Sequence, residues 1–169
     1  MWLTQSYLGN VEPDASVFVY YFFENYNKEH EQFTSRVQHE LENLGDTYRD
    51  RVSLVMPNPR YAHGIESEIR QSGDFYELFK DKLPGLFISG KPLKKINKAT
   101  DDCVYVSFDG MTAEEVAGVI SKVRSLVDSK LLSAKSVGKK TFGSKIYDAL
   151  ELKPGIFGFR IDLKKLKDW

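Results

Sequence analysis

Three histidines, one cysteine and a short loop that pairs a cation with an aromatic ring are the groups of this 169-residue chain that could do chemistry. His30 and His39 fall nine residues apart on one expected helix, which sets them on opposite faces. They cannot form the closely spaced pair that a helical metal site uses. No His-x-x-x-His, cysteine cluster or Asp-rich loop occurs, and the expected set of metal ligands is empty. The glycine-rich nucleotide-binding patterns and the Gly-x-Ser-x-Gly nucleophile elbow are absent as well, so no cofactor is expected. His63 with Glu66 or Glu68 could exchange protons, although the starts of surface helices often carry this composition. The loop at residues 57–64 places Arg60, Tyr61 and His63 together, a guanidinium, an aromatic face and a switchable imidazole suited to anion or peptide recognition. Cys103 cannot form an internal disulfide. Asp101 and Asp102 beside it disfavour its thiolate, so it reads as a structural thiol in a reducing compartment.

The elements that must position these groups are legible from periodicity. Residues 16–23, Ser-Val-Phe-Val-Tyr-Tyr-Phe-Phe, are apolar at both parities and fit a central strand covered on both faces. Asn25-Tyr26-Asn27 can cap a helix in which Phe33, Val37, Leu41 and Leu44 form one stripe, ending near Gly45. Residues 52–56 form a second strand, stopped by Pro57-Asn58-Pro59, and the three elements make a parallel β-α-β unit. The 57–64 loop leads past Gly64 into a helix with Ile65 and Ile69, interrupted at Ser72-Gly73 and resuming through residues 75–79. A third strand at 86–88 follows Pro84. Turn residues and a lysine-rich exposed segment then lead to a fourth strand at 104–108, antiparallel to the third. Thr112 and Glu115 form a capping box for a last helix whose face carries Val116, Val119, Ile120, Val123 and Leu126.

The order β-α-β-α-β-β-α, with the Leu83-Pro84 junction before the strand and turn Phe87-Ile88-Ser89-Gly90-Lys91, resembles the thioredoxin-like family over residues 16–129. The resemblance implies an α/β fold: a mixed sheet with helices on both faces, in which Pro84 is a cis-proline facing the loop after the first strand. It also implies where a redox centre would lie, at the start of the first helix, where the helix dipole lowers a thiol pKa. The stretch at residues 23–30, Phe-Glu-Asn-Tyr-Asn-Lys-Glu-His, contains no sulfur. Disulfide exchange runs through a mixed disulfide, which no hydroxyl or amide can form, so that activity is excluded on chemistry. A glutathione-binding transferase normally adds a helical second domain, and the residues after 129 are too few and too punctuated by glycine.

Hydrophobic residues at 41% and aromatic residues at 13% suffice for one sizeable core, expected over residues 1–129. Residues 130–169 form a basic extension: it carries 10 of the 24 Lys and Arg but only 4 of the 24 Asp and Glu, leaving the body near minus six. Residues 130–140 read as a linker or loosely held segment. After Lys153-Pro154-Gly155, the residues Phe157, Phe159, Ile161 and Leu163 alternate as one short half-buried strand that needs an edge. That edge could belong to its own sheet, a second subunit or a partner. Such a tail also looks like the small C-terminal modules of some bacterial conflict and defence proteins. No apolar run approaches the length of a membrane span and no leader opens the chain, so a cytoplasmic location is expected.

The leading expectation is a non-catalytic module that binds a protein or an extended peptide. Its groove is expected to involve Asn25, Tyr26, Lys28, His30, Arg60, Tyr61, His63, Leu83 and Pro84, with the backbone before the proline offering strand-like hydrogen bonds. A small enzyme using acid-base chemistry at His30 or His63 is the alternative, and an assembly subunit acting through the tail is a third. Nucleic acid is a disfavoured partner.

Overall fold

The computed structural model describes residues 2–5, 14–23, 28–58, 62–71, 82–96 and 103–133. The expected central strand is β2 (Val17–Phe22), and every residue in it is buried. Its two parities serve two cores. Val17, Val19 and Tyr21 join one apolar cluster, while Phe18, Tyr20 and Phe22 join another on the opposite face. A strand apolar at both parities therefore sits in the middle of the sheet for a simple reason: any other position would leave one row of aromatic rings in water.

Among the described residues the sheet has five strands in the order β1-β3-β2-β4-β5, with β1 at Trp2–Gln5, β3 at Val52–Pro57, β4 at Gly85–Ser89 and β5 at Cys103–Ser107. β2 runs parallel to β3 and antiparallel to β4, and β5 is antiparallel to β4 as expected. The edge strand β1, parallel to β3 with Trp2 opposite Leu54, was not anticipated. Its four residues are too few and too mixed in polarity to show a period. β3 ends on Pro57, which has no N–H to continue a ladder.

One face of the sheet is covered by two helices, α1 (Lys28–Tyr48) and α3 (Ala113–Ser133), the other by α2 (Ala62–Gln71). Leu41 and Leu44 of α1 and Val116, Ile120, Val123 and Val127 of α3 pack on the odd-numbered face of β2, whereas Ile69 of α2 packs on the even-numbered face. The arrangement is a mixed α/β fold with helices on both faces.

α1 continues through Gly45 to Tyr48, one turn beyond the expected stop. The extra turn buries Tyr48 at the next position of the apolar stripe, and its hydroxyl donates to the Arg124 carbonyl of α3 at 2.9 Å. That contact outweighs the roughly 1 kcal/mol cost of an interior glycine. The capping box of α3 forms as read: Glu115 Oε2 accepts from the Thr112 N–H at 2.7 Å, and Thr112 Oγ1 accepts from the Glu115 N–H at 3.3 Å. Val119 packs against the core edge, and the side chain of Leu126 lies outside the described residues.

The strands differ from expectation by one residue at most of their ends, and two further helix boundaries differ as well. α2 begins at Ala62, so His63 and Gly64 belong to its first turn and not to the preceding loop. α3 runs to Ser133, which makes Lys130 and the three residues after it helical, not linker. The Asn25-Tyr26-Asn27 cap, the resumption of the second helix at 75–79 and the tail from 134 onward lie outside the described residues. Among those described, no helix is long and apolar enough to cross a membrane.

Candidate functional site

The strand register decides which loops meet. Phe22 at the end of β2 pairs with Gly85 at the start of β4, and Gly85 pairs in turn with Ser107 at the end of β5. The exits of β2 and β5 and the entry to β4 therefore share one end of the sheet. α1 begins just after β2 and α3 just after β5, so both helices start at that end too. In open α/β sheets, ligands bind in the crevice outside the carboxyl ends of strands where the connections diverge to opposite sides. β2 is such a place here, since its neighbours β3 and β4 are reached through opposite faces.

The segment entering β4 is held firmly by β5. The Lys82 carbonyl accepts from the Tyr105 hydroxyl at 3.0 Å and from the Ser107 hydroxyl at 2.7 Å, and the Ser107 oxygen accepts in turn from the Asp109 N–H at 3.2 Å. The Pro84 carbonyl accepts from the Phe108 N–H at 2.7 Å. The Leu83-Pro84 peptide bond between these anchors is cis. Among the described residues, neither the N–H nor the carbonyl of the half-buried Leu83 is hydrogen-bonded, although the groups flanking it are. A backbone segment whose neighbours are anchored while its own polar groups are unpaired can pair with an extended chain.

Gly85 is required by close approach. A Cβ there would overlap the Tyr105 hydroxyl and stand 2.6 Å from the Val106 carbonyl oxygen. Gly110 is required by conformation: its φ of +72° and the Met111 N–H to Phe108 carbonyl bond of 3.0 Å make the pattern of a type II turn. That turn carries Met111 back toward Pro84.

Beside Leu83 and Pro84 lies a cavity of about 450 Å³, within the range of small-ligand and peptide side-chain sites. Phe33, Phe108 and Met111 supply apolar lining, and Thr34 a buried hydroxyl. Glu29, His30 and Asp109, all exposed, form its polar margin. Tyr21 lies deeper, its ring centroid 6.2 Å from that of Phe108. Among the described residues its hydroxyl has no hydrogen-bond partner in good geometry, and burial pushes its ionisation well above the usual tyrosine range, with Thr34 as the polar neighbour that opposes the shift.

Of the residues expected in the groove, the structure thus brings together His30, Leu83 and Pro84. Lys28 is exposed at the start of α1 and does not line the cavity. Asn25, Tyr26, Arg60 and Tyr61 lie outside the described residues, as does the side chain of His63. Reading the sequence missed the third wall, residues 108–111, and the helix positions Phe33 and Thr34. The signal for that wall was present: antiparallel pairing of the third and fourth strands must set the residues after one beside those before the other.

No protein-family model matches the sequence. No curated protein matches it either. The site must be read from its own chemistry.

His39 lies apart from His30, in a second crevice of about 450 Å³ with Arg36, Ala113 and Ala117 on the outer side of α1 and α3. Its Nδ1 approaches Glu42 Oε2 at 4.0 Å across a solvent-exposed turn. Cys103 is buried at the start of β5 and forms no disulfide. Among the described residues no group of three or more His, Cys, Asp or Glu could hold a metal ion.

Proposed function

We propose that this chain is a thioredoxin-like binding module that does no disulfide chemistry and holds an extended peptide or partner segment in the groove beside Leu83. The observation that carries this reading is the juxtaposition of an unbonded Leu83 peptide unit with an apolar-lined cavity, both at the sheet end where β2, β4 and β5 meet. Backbone pairing to Leu83 would supply register and affinity. An apolar side chain of the guest would fill the space between Phe33 and Met111. The strand order and the helices on both faces support the family assignment, and the sulfur-free stretch at residues 23–30 supports a role without a redox step.

Met111 is the groove residue best placed for a test, because it is only half-buried and its turn is held by backbone bonds. Met111→Asp puts a carboxylate against the apolar part of the cavity. It is expected to weaken a fluorescently labelled extended apolar peptide at least tenfold in an anisotropy titration, with thermal stability little changed. Equal affinity for the two proteins would reject the groove as the binding site.

A second reading rests on one observation. The cavity unites His30 with the carboxylates of Glu29 and Asp109, the grouping that acid-base catalysis would need. A hydrolytic activity lost on His30→Gln would favour this enzyme reading over the binding module.

A further inference from the structure

Among the described residues that line the cavity, Glu29 and Asp109 bring carboxylates and His30 is the one basic side chain, while Lys28 and Lys82 adjoin the lining in sequence without being part of it. The amino ends of α1 and α3 face the same region, each equivalent to about half a positive charge. Both are offset within their own first turns, by Glu29 and Glu31 in α1 and by Glu114 and Glu115 in α3. Glu115 is further committed to the Thr112 cap. Among the described residues that line it, the mouth of the cavity is acidic and its interior apolar.

We infer that the groove is specific for extended segments in which an apolar residue is flanked by lysine or arginine. The apolar side chain enters between Phe33 and Met111, while the flanking cations stay in the rim beside Glu29 and Asp109. This inference rests on the groove reading above and adds the chemical class of the guest to it. An acidic or phosphorylated segment, the guest that bare helix amino ends would attract, is disfavoured by the same two carboxylates. Because both lie in solvent, each contributes modestly and is screened by salt.

The test uses the full chain and three labelled pentapeptides that share the apolar pattern Leu-x-Phe-x-Val and carry lysine, glutamine or glutamate at both variable positions. At low salt the lysine peptide is expected to bind roughly three- to thirtyfold more tightly than the glutamine peptide, and the glutamate peptide more weakly than either. Raising the salt to half molar should shrink that ratio toward one without removing the binding of the glutamine peptide. The double variant Glu29→Gln with Asp109→Asn should abolish the ratio at low salt. Glu29→Asp with Asp109→Glu should restore it. A lysine-to-glutamine ratio near one in the unaltered protein, or a ratio that survives the double variant, overturns the charge selection. Failure of all three peptides to bind overturns the groove reading itself, a separate outcome.

Discussion

Replacing Gly85 by alanine is expected to destabilise the protein by about 3 kcal/mol and to remove peptide binding. The added methyl meets the Tyr105 ring and the Val106 carbonyl, and the carbonyl belongs to the β4 and β5 ladder and cannot retreat. Overpacking of this kind costs about 1 to 3 kcal/mol, and displacing the Tyr105 hydroxyl from the Lys82 carbonyl adds roughly 1 kcal/mol more. For a chain of this size the melting temperature should fall by about 6 to 12 °C. The Tyr105→Phe variant separates the two contributions, since it removes the hydroxyl that holds Lys82 and leaves the strand intact. It should lower stability by about 1 kcal/mol and loosen the Leu83 segment, weakening binding with little loss of fold. A Gly85→Ala protein as stable as the original in urea titration would show that the β4 entry is not clamped as described.

The second large effect is expected at Phe108. Its ring is 1% exposed, packs near Tyr21 and lines the groove, while its N–H holds the Pro84 carbonyl. Phe108→Ala removes the ring and keeps the backbone bond, so the loss should be about 3 to 5 kcal/mol of packing and cavity energy. It also opens the groove toward the core. Phe108→Leu refills most of that volume and should recover more than half of the stability, as calorimetry would show. If leucine restores stability but not peptide binding, the aromatic ring itself contacts the guest. If alanine costs less than about 1 kcal/mol, residue 108 does not seal the core at this end of the sheet.

These two residues also show where reading the sequence works and where it stops. The run at 16–23 is apolar at every position, and only a central strand flanked by two cores accommodates that, so β2 was legible in full. The Thr112 and Glu115 pair was legible for the same kind of reason, because a capping box is a local device whose partners stand three residues apart. Tyr48 was not, because the bond that extends α1 reaches Arg124, distant in sequence. The need for glycine at 85 was equally hidden: it comes from a ring 20 residues later that crosses over it to reach Lys82. The groove was half legible. Its Leu83 side was expected only through the thioredoxin-like resemblance, and the wall from Phe108 to Met111 exists because the β4 and β5 register returns the chain to the same end.

The central claim is that the Leu83 peptide unit pairs with an extended guest. The most direct measurement is a two-dimensional amide spectrum of the isotopically labelled chain titrated with the lysine peptide. The Leu83 amide is expected to move downfield as it acquires a hydrogen bond, with Met111, Gly110 and His30 shifting over the same concentration range. Saturable shifts confined to the His39 crevice or to residues beyond 133, with Leu83 unmoved, would contradict the account.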